Sequence, residues 1–309
     1  MPASRKKNLS FTIRLAGTLI SSALFIWLIS SQKWDVVLNK AAGIAFWAVL
    51  LAMTCTLLSY LFNTLRWCCL LWAQGVKISL WQAYRLTWAG NFNSNFLPST
   101  IGGDGFRMLA VHPYTGSKSI SIGSVALDRI INMSAMACLL PVPLVMFGAS
   151  LGTLWGRIGG QGSAVFGTLV PPMQKLFEKY FPKVISALRL WSSNPGAFVY
   201  AFLAAWPSNL LPIAATWLIA RQLGMQVSYW QVMGVQTVTY FLSVLPISVN
   251  GYGLREAVFT TLYTALGATL EQASTLALVT RFLTILSTLP GALWLSSAVT
   301  ENLNLEDGA

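Results

Sequence analysis

The sequence predicts an all-α, polytopic helical membrane protein of about seven to eight transmembrane helices, and three observations carry that prediction. Only 9% of the residues are charged and 55% are apolar, against roughly 25% charged in an average soluble domain. Apolar runs near the roughly 20 residues that a bilayer core requires recur at 11–31, 43–62, 120–148, 197–219, 229–246 and 271–297, with shorter candidates at 81–96 and 254–268. No alternating ten-residue barrel pattern is visible, so backbone groups in lipid must be satisfied within helices.

The elements follow in order. The first run comes after "SRKKN", has full bilayer length and meets no small-residue cleavage site before Gln32 and Lys33, which predicts a retained helix with a cytoplasmic amino end. Eight full spans would put the Lys and Arg of 5–7, 66–77 and 149–196 in the cytoplasm, the arrangement the positive-inside rule favours. A re-entrant hairpin over 81–110 would nearly erase that bias. Within the basic connection, Phe177, Phe181, Val184, Leu188 and Trp191 oppose Lys175, Lys179 and Lys183, an amphipathic helix at 171–191 suited either to the headgroup region or to setting topology.

The net charge of +11 is scattered along apolar segments and their edges and forms no basic patch, so no nucleic-acid partner is expected. Cys55, Cys68, Cys69 and Cys138 lack metal-site spacing and read as packing residues, and the single histidine, His112, beside Pro113, reads as a loop residue. Neither a metal nor a cofactor is expected.

Two interrupted segments stand apart. "LPSTIGGDGFR" at 97–107 and "LPISVNGYGLR" at 245–255 share Leu, Pro, Gly, Gly and Arg in register. Pro98 and Pro246 should stop a helix, Gly102, Gly103, Gly251 and Gly253 should turn the backbone, and a new helix should follow with Arg107 or Arg255 about one turn in. Its free amides and positive dipole end suit an anion. Three strong crossings between the motifs place them in opposite orientations. The whole chain then reads as one membrane domain with an inverted internal repeat, one half at about 43–148 and the other at about 197–297. Paired Gly/Pro-interrupted segments in two such halves point to a substrate site.

Charges inside the spans belong to the same pattern, since each costs roughly 2.5–3.5 kcal/mol at a helix centre. Ser124, Asp128 and Asn132 share one helix face, Arg129 projects elsewhere, and Ser274, Arg281, Thr284 and Thr288 form a polar stripe. Aligning Arg129 with Arg281 extends the repeat. Asp104, Asp128 and Glu256 cannot neutralise Arg107, Arg129, Arg255 and Arg281, which leaves room for an anionic ligand. Asn91, Asn93 and Asn95 either line the same cavity or cap the broken helix.

"LPSTIGGDGFR", then "LDRI", then "LPISVNGYGLRE" resembles the lysylphosphatidylglycerol synthase transmembrane-region family over about residues 43–297. The resemblance implies a bacterial inner-membrane protein that handles a lipid head group, and it highlights Pro98, Gly102, Gly103, Asp104, Arg107, Asp128, Arg129, Pro246, Ser248, Gly251, Gly253, Arg255 and Glu256. Asn95, Asn250 and Arg281 join them from the residue pattern. The soluble aminoacyl-transferring domain of two-part synthases is absent from this sequence, so lysine transfer is not expected. The leading expectation is a non-enzymatic flippase for an anionic phospholipid or polyprenyl-phosphate-linked lipid, with a possible partner synthase. An accessory subunit presenting lipid to that synthase, or a lipid-linked transferase, are the alternatives; for the last, no Asp-x-Asp motif, nucleotide loop or nucleophile–histidine pair is present.

Overall fold

The computed structural model describes residues 34–95, 100–146, 194–244 and 254–294, all helical or turn. The first apolar run, the amphipathic stretch at 171–191 and the motif residues Pro98, Pro246, Ser248, Asn250, Gly251 and Gly253 lie outside them. In chain order the helices are α1 (Trp34–Ala42), α2 (Phe46–Ala73), α3 (Leu80–Ser94), α4 (Thr100–Ala110), α5 (His112–Thr115), α6 (Lys118–Ala137), α7 (Pro195–Gln222), α8 (Tyr229–Val244), α9 (Leu254–Ala265) and α10 (Leu270–Thr288). Among the described residues, four stretches are long and apolar enough to cross a bilayer: α2, α7, α6 continued to Met146, and α10 continued to Trp294. Each continuation follows a short turn, at 138–140 and 289–290, beside Pro141 and Pro290, whose missing amides cannot join the helical hydrogen-bond ladder. Large apolar side chains such as Phe46, Leu50, Val199, Leu203 and Phe282 point outward, the expected finish for a surface solvated by lipid.

The two halves share a scaffold. Helices α2 and α7 each have 28 residues, about 42 Å at 1.5 Å per residue. Each ends at a left-handed glycine, Gly75 (φ 72°) or Gly224 (φ 74°). In each case the next amide reaches back to close the cap, Val76 to Leu71 and Met225 to Ala220. A reciprocal capping box then starts the next helix, Ser79 with Gln82 before α3 and Ser228 with Gln231 before α8.

Helices α2 and α7 run antiparallel. Leu70, near the end of α2, clusters with Ala201 and Ala205 near the start of α7, whereas Ala48 and Ala52 cluster with Ile213, Ile219 and Ala220. Equivalent helices of the two halves therefore point in opposite directions, and the repeat is inverted.

The path differs from eight full crossings. Helices α3 and α4 fold back on one another: Gly90 faces Gly103 and Arg107 at one end, while Ala83 and Leu86 cluster with Ala110 and Val111 at the other. The chain enters and leaves this hairpin at the C-terminal end of α2, so Arg107 and Lys118 are not separated from residues 66–77 by a crossing. With 15 and 11 residues, the two helices span only about 22 and 16 Å, short of a core of roughly 30 Å. Helices α8 and α9 likewise pack on each other, with Phe259 and Tyr263 of α9 beside Met225, Val227 and Val232 at the end of α7. The hairpins thus enter from opposite ends.

A second correction concerns the basic connection. Helix α6 runs parallel to α7, since Leu127–Ala135 clusters with Ala201 and Ala205, Asn209 donates to Asn132 at 3.1 Å, and Met136 joins Ile213. The end of α6 and the start of α7 therefore lie at opposite ends of the bundle and not on one face. The inversion holds, although the count of crossings that suggested it does not.

Candidate functional site

The charges of the spans meet between the hairpins. Asp128 on α6 accepts from Arg66 Nε at 2.6 Å and from Arg107 Nη1 at 3.1 Å. Asp104 on α4 pairs with Arg129 and lies 3.7 Å from Arg107. In the second half Glu256 lies 3.6 Å from Arg255 and 3.8 Å from Arg281. Ion pairs among the described residues thus join five arginines to three carboxylates, a formal surplus of positive charge in the bundle interior. Burying such groups is tolerable only when charge and hydrogen bonds are both matched.

Arg107 is the pivotal side chain. It is 5% exposed, its guanidinium carbon sits 4.1 Å above the Trp67 ring, and one nitrogen serves Asp128. Its Nε and Nη2 are buried and have no hydrogen-bond partner among the described residues. The arginine lines a polar cavity of about 330 Å³ with Asn91, Asn95, Asp104, Asp128, Arg129, Asn132 and Arg281. A second cavity, of about 250 Å³, is lined by Arg255. Tyr60, Tyr240 and Thr284 form walls common to both.

Local sequence explains why these side chains converge. Adding a Cβ to Gly103 would overlap the Gly90 carbonyl and Ser94 Oγ, and one on Gly90 would meet Arg107 Cγ at 2.8 Å. The two glycines therefore let α3 and α4 touch backbone to backbone, which brings Arg107 across to α6. Pro207 and Pro212 lie inside α7 and flank Ser208 and Asn209, both of which line the second cavity. Asn95, at the tip of the first hairpin, donates to Thr288 Oγ1 of α10 at 2.8 Å.

The expected site residues are therefore only partly assembled as drawn. Asn95, Gly103, Asp104, Arg107, Asp128, Arg129 and Arg281 line one chamber, Arg255 lines the other, and Glu256 is fully buried behind them. Gly102, Gly103 and Asp104 do not form the turn before a helix. Helix α4 already starts at Thr100, so they lie inside it and Arg107 comes two turns in; close helix contact, and not positive φ, is what glycine supplies at 103. Arg255 is the second residue of α9, nearer the position expected. Ser124 bonds Trp67, and Asn132 accepts from Arg66 and donates to Tyr240, so the α6 stripe faces the site. Ser274 bonds Leu270 and Glu271 carbonyls of its own helix and lines neither chamber. Asn91 lines the first chamber and Asn93 neither. Cys68 is buried and Cys138 exposed, so packing describes the first better than the second.

Arg66 is the residue sequence reasoning missed. The apolar run pauses at 62 and so predicts a cytoplasmic loop at 66–77, yet α2 continues to Ala73 and Arg66 is 3% exposed. The resumed apolar run "WCCLLW" at 67–72 was the available signal.

A bundle with four spanning-length helices, two hairpins entering from opposite ends and arginine-rich chambers between them defines a multi-pass membrane protein with a polar interior. The chain belongs to the family described as the lysylphosphatidylglycerol synthase TM region, whose sequence profile matches residues 14–291. That membership ties it to membrane-lipid biology. A comparison with curated proteins found no match.

Proposed function

We propose that the protein is a flippase for a lipid with an anionic, phosphate-bearing head group, held between the two hairpins while the tails stay in the bilayer. The observation that carries this reading is Arg107, a 95%-buried cation with two nitrogens that have no hydrogen-bond partner among the described residues, beside a polar cavity. Leaving such donors unsatisfied costs several times what a neutral hydrogen bond contributes, and a phosphate oxygen pair matches the guanidinium fork. Arg129 and Arg281, on the α6 and α10 walls, would add charge on either side. Hairpins inserted from opposite ends of an inverted repeat also suit alternating access, in which one half rocks against the other. The proposed setting is a bacterial inner membrane with the amino end cytoplasmic and a separate synthase supplying the lipid.

The test is reconstitution into liposomes containing tail-labelled phosphatidylglycerol. Wild-type protein should accelerate exchange between leaflets, and Arg107→Gln, checked for an unaltered elution profile, should lower the rate at least about tenfold, the loss of one charged bond. Equal rates would remove Arg107 from the site. Lipid that co-purifies without moving would make the protein a presenting subunit, and chemically altered lipid would make it an enzyme.

A further inference from the structure

The two chambers differ in chemistry, and that difference bears on which head group fits. The first holds the carboxylates and most of the arginines. The second, bounded by α2, α7, α8 and α10, has Arg255 as its charged lining residue among those described; the rest of its wall is mostly apolar surface, from Met136, Pro212, Ile213, Ala215, Leu283 and two tyrosine rings, into which hydroxyls and two amides are set.

The hydroxyls are oriented in one sense. Thr56, Ser59, Ser208, Thr216, Thr280 and Thr284 each donate to a carbonyl three or four residues earlier in their own helix. A hydroxyl has one proton to give, so what these six present to the cavity is acceptor lone pairs. Asn209 spends its amide on the Asn132 side chain and the Ala205 carbonyl, which leaves Oδ1 as an acceptor. Gln236 donates to Thr216 at 2.8 Å, leaving Oε1. On the donor side stand Arg255, the second N–H of the Gln236 amide and the Tyr240 hydroxyl, whose oxygen already accepts from Asn132, three groups against eight acceptors.

We infer that this second chamber is a subsite for the neutral, hydroxyl-bearing part of the head group, a glycerol or sugar moiety attached to the phosphate held by Arg107. Many acceptors with few donors call for a guest rich in O–H groups. An ammonium group would also satisfy acceptors, but it would face Arg255 with no carboxylate in the lining to balance it. A polyol both donates to the hydroxyl oxygens and accepts from Arg255 and Tyr240. The shared walls Tyr60, Tyr240 and Thr284 place this subsite next to the phosphate chamber, as a phosphodiester requires. The assignment rests on the reading that the chambers hold a lipid head group, but it concerns binding and does not need transport.

The experiment measures binding of three dioctanoyl lipids to the full chain in detergent: phosphatidylglycerol, phosphatidylethanol and phosphatidylethanolamine. The first two carry the same single negative charge and differ in hydroxyls; the third ends in an ammonium. Phosphatidylglycerol should bind about tenfold tighter than either, the scale of one or two matched hydrogen bonds. In Thr216→Val, and separately in Gln236→Leu, the ratio of phosphatidylglycerol to phosphatidylethanol affinity should fall towards one. Equal binding of all three, preference for phosphatidylethanolamine, or a ratio untouched by both substitutions overturns the subsite. Hydroxyl preference in binding without any leaflet exchange sinks the flippase reading alone, and glycerol 3-phosphate binding as tightly as the lipid would sink the lipid assignment while keeping the subsite.

Discussion

The two hairpins have the same frame and different contents. Both follow a 28-residue helix, a left-handed glycine and a Ser–Gln capping box. The first sets Arg107 seven residues into α4 and binds it through Asp128 to Arg66, all three almost fully buried. The second sets Arg255 at the mouth of α9, over the Phe259 ring and near one carboxylate. Capping and turn chemistry are needed to build either hairpin and occur in both, whereas the ion pairs are closer and more deeply buried in the first half than in the second. The difference separates scaffold from site more cleanly than either half does alone.

Removing the central carboxylate of each half should expose that asymmetry most strongly. Asp128→Ala strands two arginines whose side chains are only 4% and 6% exposed and should cost about 3–5 kcal/mol, read as a lowered unfolding midpoint in detergent. Glu256→Ala should cost about half as much, because its partners stand farther off and keep 18% and 11% of their side chains exposed. Equal losses would mean that the halves are electrostatically equivalent.

A smaller effect distinguishes glycines that look alike in "GGDG". Gly103→Ala puts a methyl group into the α3 backbone and should destabilise by about 1–3 kcal/mol. Gly105 has open space around its Cβ position and ordinary helical φ, so Gly105→Ala should gain about 0.5–1 kcal/mol from helix propensity. The same unfolding measurement checks both, and a loss at 105 equal to that at 103 would contradict the hairpin contact. Most symmetric, Ser79→Ala and Ser228→Ala should each cost about 1 kcal/mol; a large difference between them would show that the frames are not equivalent.

Much of this was legible in the sequence, for identifiable reasons. Membrane class and helical content follow from composition and run length, which tertiary structure does not override. The paired motifs around Arg107 and Arg255 were visible because proline and glycine are rare enough in apolar segments to align by eye. The sequence did not reveal which short helices cross. Fold-back of α3 onto α4 depends on Gly90, an isolated glycine that means nothing until Gly103 is seen opposite it. Arg66 was hidden because its neutralising partner lies 62 positions away, and local hydropathy carries no information about such a pair. The Gly-x-x-x-Ser-x-Trp-Gln repeat at 75–82 and 224–231 becomes meaningful only once Ser and Gln are seen to cap α3 and α8.

The most direct measurement is an experimental map of the protein purified with its native lipids. A phosphate-sized feature within about 3 Å of Arg107 Nη2 or Nε, with its remaining head group extending past Tyr60 and Tyr240 towards Arg255, is the predicted result. Lipid density confined to the outer faces of α2, α7 and α10, with the Arg107 chamber holding only water, would contradict it.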